Sequence, residues 1–257
     1  MFNTTRGLVL REVRYKEADK ILTVLTEGEG KLTLRARGAM RKGSKFAAAT
    51  QLLTFSEMTL FGNKGRWSLN EAVTVEQFLG LRDDLSALAL GSYFAELLET
   101  LSDEDCPDRA VLQLGLNSLY ALSRGLCSQK QIKAVFELRL MSITGYEPDL
   151  TGCAHCGAPE PEQLWFYPRG GAVYCTRCRA SSPGAVTPLL PETLAAMRHI
   201  VYADPKKIFS FTVSDAGLNQ LGKVCEDYLR AQLERGFSSL DYWKKVKDIG
   251  WNNMKNP

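Results

Sequence analysis

Histidine is nearly missing from this 257-residue sequence, which has only His155 and His199. So sparse a supply leaves little material for an imidazole general base, which disfavours chemistry built on one. Long apolar runs are missing too. No stretch approaches the roughly 18 residues needed to cross a bilayer, so a membrane-spanning chain is not expected. The opening segment places Arg6, Arg11, Glu12 and Arg14 where a secretory signal needs an apolar core, and a cytoplasmic location is expected. The seven cysteines are an odd number spread over a long chain. That pattern fits reduced thiols and a metal site better than a secreted disulfide framework. No dinucleotide fingerprint, metalloprotease helix or nucleophile elbow occurs. The nearest match to a phosphate loop, Gly38-Ala-Met-Arg-Lys-Gly43-Ser44-Lys45, ends Ser-Lys instead of Lys-Ser and is not followed by a long helical pattern, so it is assigned no nucleotide binding. With no carboxylate pair standing out, an enzyme is not expected.

What is present supports folded domains with ample core: 45% of residues are hydrophobic, and the length suits two domains with room for a small module. The formal net charge is only +3, but it is unevenly distributed. Residues 1 to 80 hold 13 basic and 8 acidic residues, residues 81 to 150 hold 6 and 11, and the remainder holds 13 and 10. A basic head followed by an acidic middle implies separate partners for the two regions.

The head reads as short strands at Gly7 to Leu10, Ile21 to Leu25, Lys31 to Arg37, Leu52 to Phe61 and Arg66 to Val75, separated by turns such as Glu27-Gly-Glu-Gly30 and Gly62-Asn-Lys-Gly65. Five strands in that length suit a small closed barrel of the oligonucleotide/oligosaccharide-binding (OB) type. In the third run Leu32, Leu34 and Ala36 alternate with Lys31, Thr33, Arg35 and Arg37, giving an apolar and a basic face. From about residue 81 the period becomes helical, with Leu90, Phe94, Leu97 and Leu101, then Val111 to Leu119, then Ile132 to Ile143. A second helical group follows residue 188, and Ser214 to Gly236 reads as its last long helix. Gly145 to Pro188 has no helical period and reads as an inserted module. The expected architecture is α+β: a barrel over 1–80 and a helical domain over 81–257 carrying a module at about 145–188.

That module contains Cys153-Ala-His-Cys156, eighteen intervening residues, and Cys175-Thr-Arg-Cys178. Two close pairs on separate knuckles bring four thiolates to a tetrahedral centre, the arrangement of a closed structural zinc site, so one zinc ion per chain is expected on Cys153, Cys156, Cys175 and Cys178. A redox pair would explain two cysteines but not four. Trp165, Phe166 and Tyr167 supply a small core for the module. Cys225 and His199 read as structural.

A second signal is the run Arg35, Arg37, Arg41, Lys42 and Lys45, with no acidic residue among them, supplemented by Arg14, Lys16 and Lys20. It reads either as a solvated charged face or, on a barrel, as an electrostatic groove for single-stranded nucleic acid. Tyr15, Phe46, Phe55 and Trp67 are candidates for base stacking or for core.

Several stretches in one order resemble the RecO family of bacterial recombination mediators. These are Gly7-Leu-Val-Leu-Arg11 with Tyr15-Lys-Glu-Ala-Asp19, Gly30-Lys31 leading to Ala36-Arg-Gly-Ala-Met-Arg41, Phe136-Glu-Leu-Arg-Leu140 with Gly145-Tyr-Glu-Pro148, and the cysteine module. Gln51-Leu-Leu-Thr-Phe55 departs from the family's commoner Leu-Gln-Pro-Phe form. The resemblance implies an OB domain, a helical domain and a four-cysteine zinc module. It also implies binding of single- and double-stranded DNA, strand annealing, and work with RecR to load RecA onto strands coated by single-stranded-DNA-binding protein. The tail of that protein would dock on the helical domain, with a functional link to RecF and activity at the bacterial nucleoid. Competing classes are an OB and zinc-ribbon protein of transcription or RNA metabolism, and an enzyme with catalytic zinc.

Overall fold

The computed structural model describes residues 2–63, 66–159 and 163–255; Lys64 and Gly65 of the expected Gly62-to-Gly65 turn lie outside the described residues. The elements divide into two compact units, Met1–Arg124 with Phe237–Pro257, and Gly125–Gly236. The barrel therefore shares its unit with the first two helices and the last. The proposed division near residue 80 marks where the strands stop.

In the first unit, β1 (Phe2–Tyr15), β2 (Asp19–Thr26), β3 (Gly30–Ala36), β4 (Phe55–Asn63) and β5 (Arg66–Glu76) close in the order β1-β2-β3-β5-β4. β1 pairs antiparallel with both β2 and β4, and β3 meets β5 in parallel at Leu34 and Trp67. This is the strand order of an OB barrel. Period-two alternation builds it: Leu32, Leu34 and Ala36 are buried, and they join Val9, Leu22, Val24, Met58, Leu60 and Leu69 in one core. Each such large side chain removed from water contributes about 1.5–3 kcal/mol. A register shift after Val9 bends β1, so a long strand can follow two neighbours around the barrel.

α1 (Leu85–Leu101) starts where the Asp84 carboxylate accepts the Ser86 N–H, and α2 (Arg109–Arg124) where the Asp108 carboxylate accepts that of Ala110. The apolar stripe of α1, including Leu90, Phe94 and Leu97, is buried as its period predicts. Two basic residues of the barrel hold this helix: Arg11 lies 3.0 Å from the Glu99 carboxylate, and the Lys31 ammonium donates to the Glu99 carbonyl at 2.7 Å. Cations at the last turn of a helix are favoured there. Gly30 adopts φ +68°, and a Cβ at that position would fall 2.5 Å from the backbone nitrogen of Cys106, so only glycine fits this turn.

In the second unit, α3 (Gln129–Ile143), α4 (Pro191–Tyr202) and α5 (Asp215–Leu233) pack with a small sheet of β6 (Asp149–Cys153), β7 (Leu164–Tyr167), β8 (Ala172–Cys175) and β9 (Thr187–Pro188), ordered β6-β8-β7-β9. The sheet occupies the expected module. Phe166 is fully buried and meets Tyr228 of α5 edge-on at 5.6 Å, while the Tyr228 hydroxyl donates to the Tyr146 carbonyl. On α3 the buried Lys133 faces Glu137 at 2.8 Å and Glu226 of α5 at 3.3 Å.

One expectation is corrected. Ser214 to Gly236 is a helix but not the last long one, because α6 (Ser238–Lys255) follows and belongs to the first unit. Its described apolar stripe is only Leu240, Trp243 and Val246, set among Lys244, Lys245 and Lys247, and that narrow stripe hid the period. Phe237, which introduces it, packs on Tyr93 of α1 at 5.9 Å, and Ser239 donates through its hydroxyl to Glu96.

Candidate nucleic-acid interface and metal centre

The interface is built where β1 turns into β2. Tyr15 ends β1, Lys16 carries the turn at φ 55°, and Asp19 opens β2. Asp19 is fully engaged: Oδ1 accepts the Gly38 N–H at 2.8 Å, and Oδ2 accepts Nε and Nη2 of Arg35 at 2.8 and 2.5 Å. The Gly38 N–H, and next the Arg35 guanidinium, hold the Asp19 carboxyl below its usual range. The basic run after β3 is thereby pinned against the β1–β2 turn.

Two recesses open on this face. One, of about 720 Å³, is walled by Lys16, Arg37, Gly38 and Arg41 with Asp19 and Arg35; the other, of about 700 Å³, by Tyr15, Arg37, Phe61, Arg66 and Trp67. The structure thus brings together Lys16, Arg35, Arg37 and Arg41 of the basic residues expected from sequence. Arg35 differs from the rest, because its charge is already met by Asp19; its guanidinium and the Lys16 ammonium both lie over the Tyr15 ring, 5.2 and 5.6 Å from its centre. Arg14 pairs across the sheet with Lys20, while Lys42 and Lys45 are exposed in the turns after β3; none of the three is among the described residues lining either recess. Lys20 itself pairs with Glu12.

Of the aromatic candidates, Tyr15 and Trp67 line the second recess, whereas Phe46 and Phe55 are buried at 8% exposure each. Phe61 and Arg66 escaped notice. Parity could have revealed Phe61: Met58 and Leu60 point into the barrel, so Glu57 and Phe61 point out, and an aromatic on a polar outer face is itself a signal.

The four module cysteines do converge. Their sulfurs all lie within 4.8 Å of one another, and Sγ of Cys156 and Cys175 are 3.9 Å apart. Tetrahedral zinc with Zn–S of about 2.3 Å sets sulfurs about 3.8 Å apart, so the donor set fits a metal of that kind. Each pair sits on a tight turn, with Gly157 N–H donating to the Cys153 carbonyl and Cys178 N–H to that of Cys175. Burial works to raise the Cys153 thiol, but the N–H groups of Cys175, Cys156 and His155 outweigh it and bring it to about 6. Arg179 lies over the Trp165 ring at 4.5 Å, and His155 is exposed beside the first knuckle. Cys106, Cys127 and Cys225 lie outside this cluster, and burial pushes the Cys225 thiol up. His199 is structural in its contacts, with Nε2 2.9 Å from the Lys207 carbonyl and its ring edge-on to Phe211.

A barrel of OB strand order with a cationic, aromatic-lined face, joined in one chain to helices bearing a four-thiol module, defines a class of OB-barrel proteins with a four-cysteine appendage. Residues 1–78 match the family model described as Recombination protein O N terminal, and residues 82–241 match that described as Recombination protein O C terminal. The DNA repair protein RecO of Acetivibrio thermocellus is 35% identical over 245 residues, covering 95% of this chain and 97% of that protein. Those of Symbiobacterium thermophilum and Heliobacterium modesticaldum are each 31% identical, covering 92% and 98% of this chain and 94% and 92% of theirs. The chain belongs to the RecO family.

Proposed function

We propose that this chain is a DNA-binding recombination mediator. The observation that carries the reading is the convergence of Lys16, Arg37, Arg41 and Arg66 on one barrel face, from the β1–β2 turn, the end of β3 and the start of β5. Such a face attracts phosphates and releases their counterions without reading sequence. It binds single- and double-stranded DNA, and complementary strands held on a neutralising surface anneal. The chain acts with RecR, and in functional link with RecF, to load RecA onto strands coated by single-stranded-DNA-binding protein. The acidic residues 81–150 repel phosphate, which suits the helical part to protein partners, including the tail of that coating protein. No step needs a covalent intermediate or nucleotide hydrolysis, so the chain is an adaptor rather than an enzyme. Its place is the cytoplasm, at the nucleoid.

Cys153, Cys156, Cys175 and Cys178 would hold one zinc ion, which supplies a four-thiolate cross-link with no open position for substrate. The chain's own residues shape that module: the β7–β8 hairpin buries Phe166, and Arg198 of α4 donates to the Leu150 carbonyl at the start of β6.

The test is annealing of oligonucleotides coated by single-stranded-DNA-binding protein, together with binding across a salt series, for the parent chain and for Lys16→Ala/Arg37→Ala/Arg41→Ala/Arg66→Ala. Four contacts at about 0.7 each give a log–log salt slope near −3 on single strands, which the variant should flatten while annealing falls. Unchanged slope and annealing, or a preference for RNA over DNA, would overturn the reading.

A further inference from the structure

The two recesses share Arg35 and Arg37 but differ in chemistry. The first presents Lys16, Arg37 and Arg41 around the Gly38 backbone, and no ring is among its described lining residues. Of its two acids, Asp19 already accepts three hydrogen bonds and is matched by Arg35, and the exposed Glu17 is outnumbered by Lys16, Arg37 and Arg41, so the outstanding charge there is positive. The second is a shelf of rings, Tyr15 from β1, Phe61 from β4 and Trp67 from β5, with Arg66 at its edge. Tyr15 and Phe61 remain about two-fifths exposed, at 41% and 40%. Both are held in place: the Arg35 guanidinium, fixed by Asp19, lies over the Tyr15 ring, and Phe61 packs against Phe2 at 5.2 Å. Exposed rings grouped in one recess and rimmed by cations form the kind of apolar patch that marks a binding surface.

We infer that this face is partitioned into a phosphate corner at Lys16, Arg37 and Arg41, which does not distinguish strandedness, and a base shelf at Tyr15, Phe61 and Trp67, which accepts only unpaired bases. A single strand can lay a backbone phosphate in the corner and turn its bases onto the rings. A duplex keeps its base faces inside its own stack, so it offers the shelf nothing and uses the corner alone. The single-strand preference of the site therefore resides in the rings, and its salt dependence in the cations, three of them in the corner and Arg66 beside the shelf. Asp19 acts as a positioning residue for both, since it fixes the Arg35 that orients Tyr15 and the Gly38 backbone between Arg37 and Arg41. This inference rests on the DNA-binding reading above.

The test uses the full chain and fluorescence anisotropy with three probes: an oligothymidylate, a duplex of the same length, and an abasic strand of that length. Stacking on aromatic rings is sequence-tolerant and contributes about 1–3 kcal/mol per base, so Tyr15→Ala/Phe61→Ala should weaken oligothymidylate binding by roughly tenfold or more. It should leave the duplex and the abasic strand within about twofold. Arg41→Ala, which leaves the Lys16 ammonium over the Tyr15 ring, should weaken all three probes alike. Circular dichroism of each variant establishes that the barrel is intact, and Tyr15→Phe should restore most single-strand binding. Equal losses on duplex and single strand for the ring variant, or no loss on either, would overturn the partition while the DNA-binding reading stands. Failure of the parent chain to bind any probe would overturn that reading first.

Discussion

Replacing Lys133 by methionine removes a buried ammonium that faces two carboxylates in the interior of the second unit. Lys133 is 3% exposed, with Glu137 Oε1 at 2.8 Å and Glu226 Oε2 at 3.3 Å. At an effective dielectric of about 20, each contact has a Coulomb attraction of roughly 5–6 kcal/mol, most of it offset by the cost of drying three charges. Burial works to lower the Lys133 pKa, but Glu137 and Glu226 outweigh it and raise it, so the ammonium stays charged. Lys133→Met leaves the two carboxylates crowded without the ammonium between them, and should cost about 3–5 kcal/mol. Glu226 keeps Arg230 at 3.5 Å, so adding Glu137→Leu removes the fully buried carboxylate that Lys133 had faced. The double variant should return to within about 2 kcal/mol of the parent, and Glu137→Leu alone should cost about 3 kcal/mol. Urea denaturation of all four proteins, with hydrogen exchange read at α3 and α5, measures the cycle. A loss below about 1 kcal/mol for Lys133→Met, or a double variant as unstable as the sum of the singles, would refute the reasoning.

Metal analysis of purified protein should give about one zinc per chain, and Cys175→Ser should remove it; chelation should expose the amides of β6 to β8 while leaving those of α1 and α2 protected. Gly30→Ala should cost about 1–3 kcal/mol in thermal or chemical denaturation, since it combines a left-handed backbone with a Cβ pressed on Cys106. Asp19 has a depressed pKa in the fold, so its contribution is complete above the ordinary aspartate range and is lost as pH falls through the lower folded value. Exchange of the Gly38 amide should therefore accelerate as pH drops below about 4, relative to the intrinsic rate. In Asp19→Ala, which removes the acceptor, the Gly38 amide should exchange fast at neutral pH; an unaltered Gly38 amide in that variant would count against the pinning role.

The barrel and the cysteine module could be read in advance because both are encoded locally. Alternation along β3 assigns its faces, and two pairs of cysteines on short turns define a tetrahedral site whatever the surrounding fold. The groove was less legible because its composition depends on register. Arg35 reads as a free cation in the run Arg35 to Lys45, yet the pairing of Lys20 with Ala36 carries Asp19 beside it and neutralises it. Phe46 looks like a stacking residue next to lysines, but the turns after β3 fold it into the barrel's core. Arg66 and Phe61 reach the same face only because β4 and β5 form a hairpin, with Phe61 opposite Ser68. Arg11 and Lys31 belong to the basic head by composition and are spent on Glu99. Charge counts point to the barrel; strand pairing decides which side chains share its face.

The second unit, Gly125–Gly236, is threaded between α2 and α6, which both belong to the first. Order of synthesis and order of assembly therefore part company in this protein. A chain emerging from the ribosome presents its barrel strands early, but the helix whose Phe237 and Ser239 close on Tyr93 and Glu96 comes only after the whole of the inserted unit. Until then α1 is short of its partner, and the acidic helices carry an uncovered apolar seam. The first domain to be made is thus the last to be finished, and a ribosome stalled anywhere within the insertion holds a barrel whose supporting helices are incomplete.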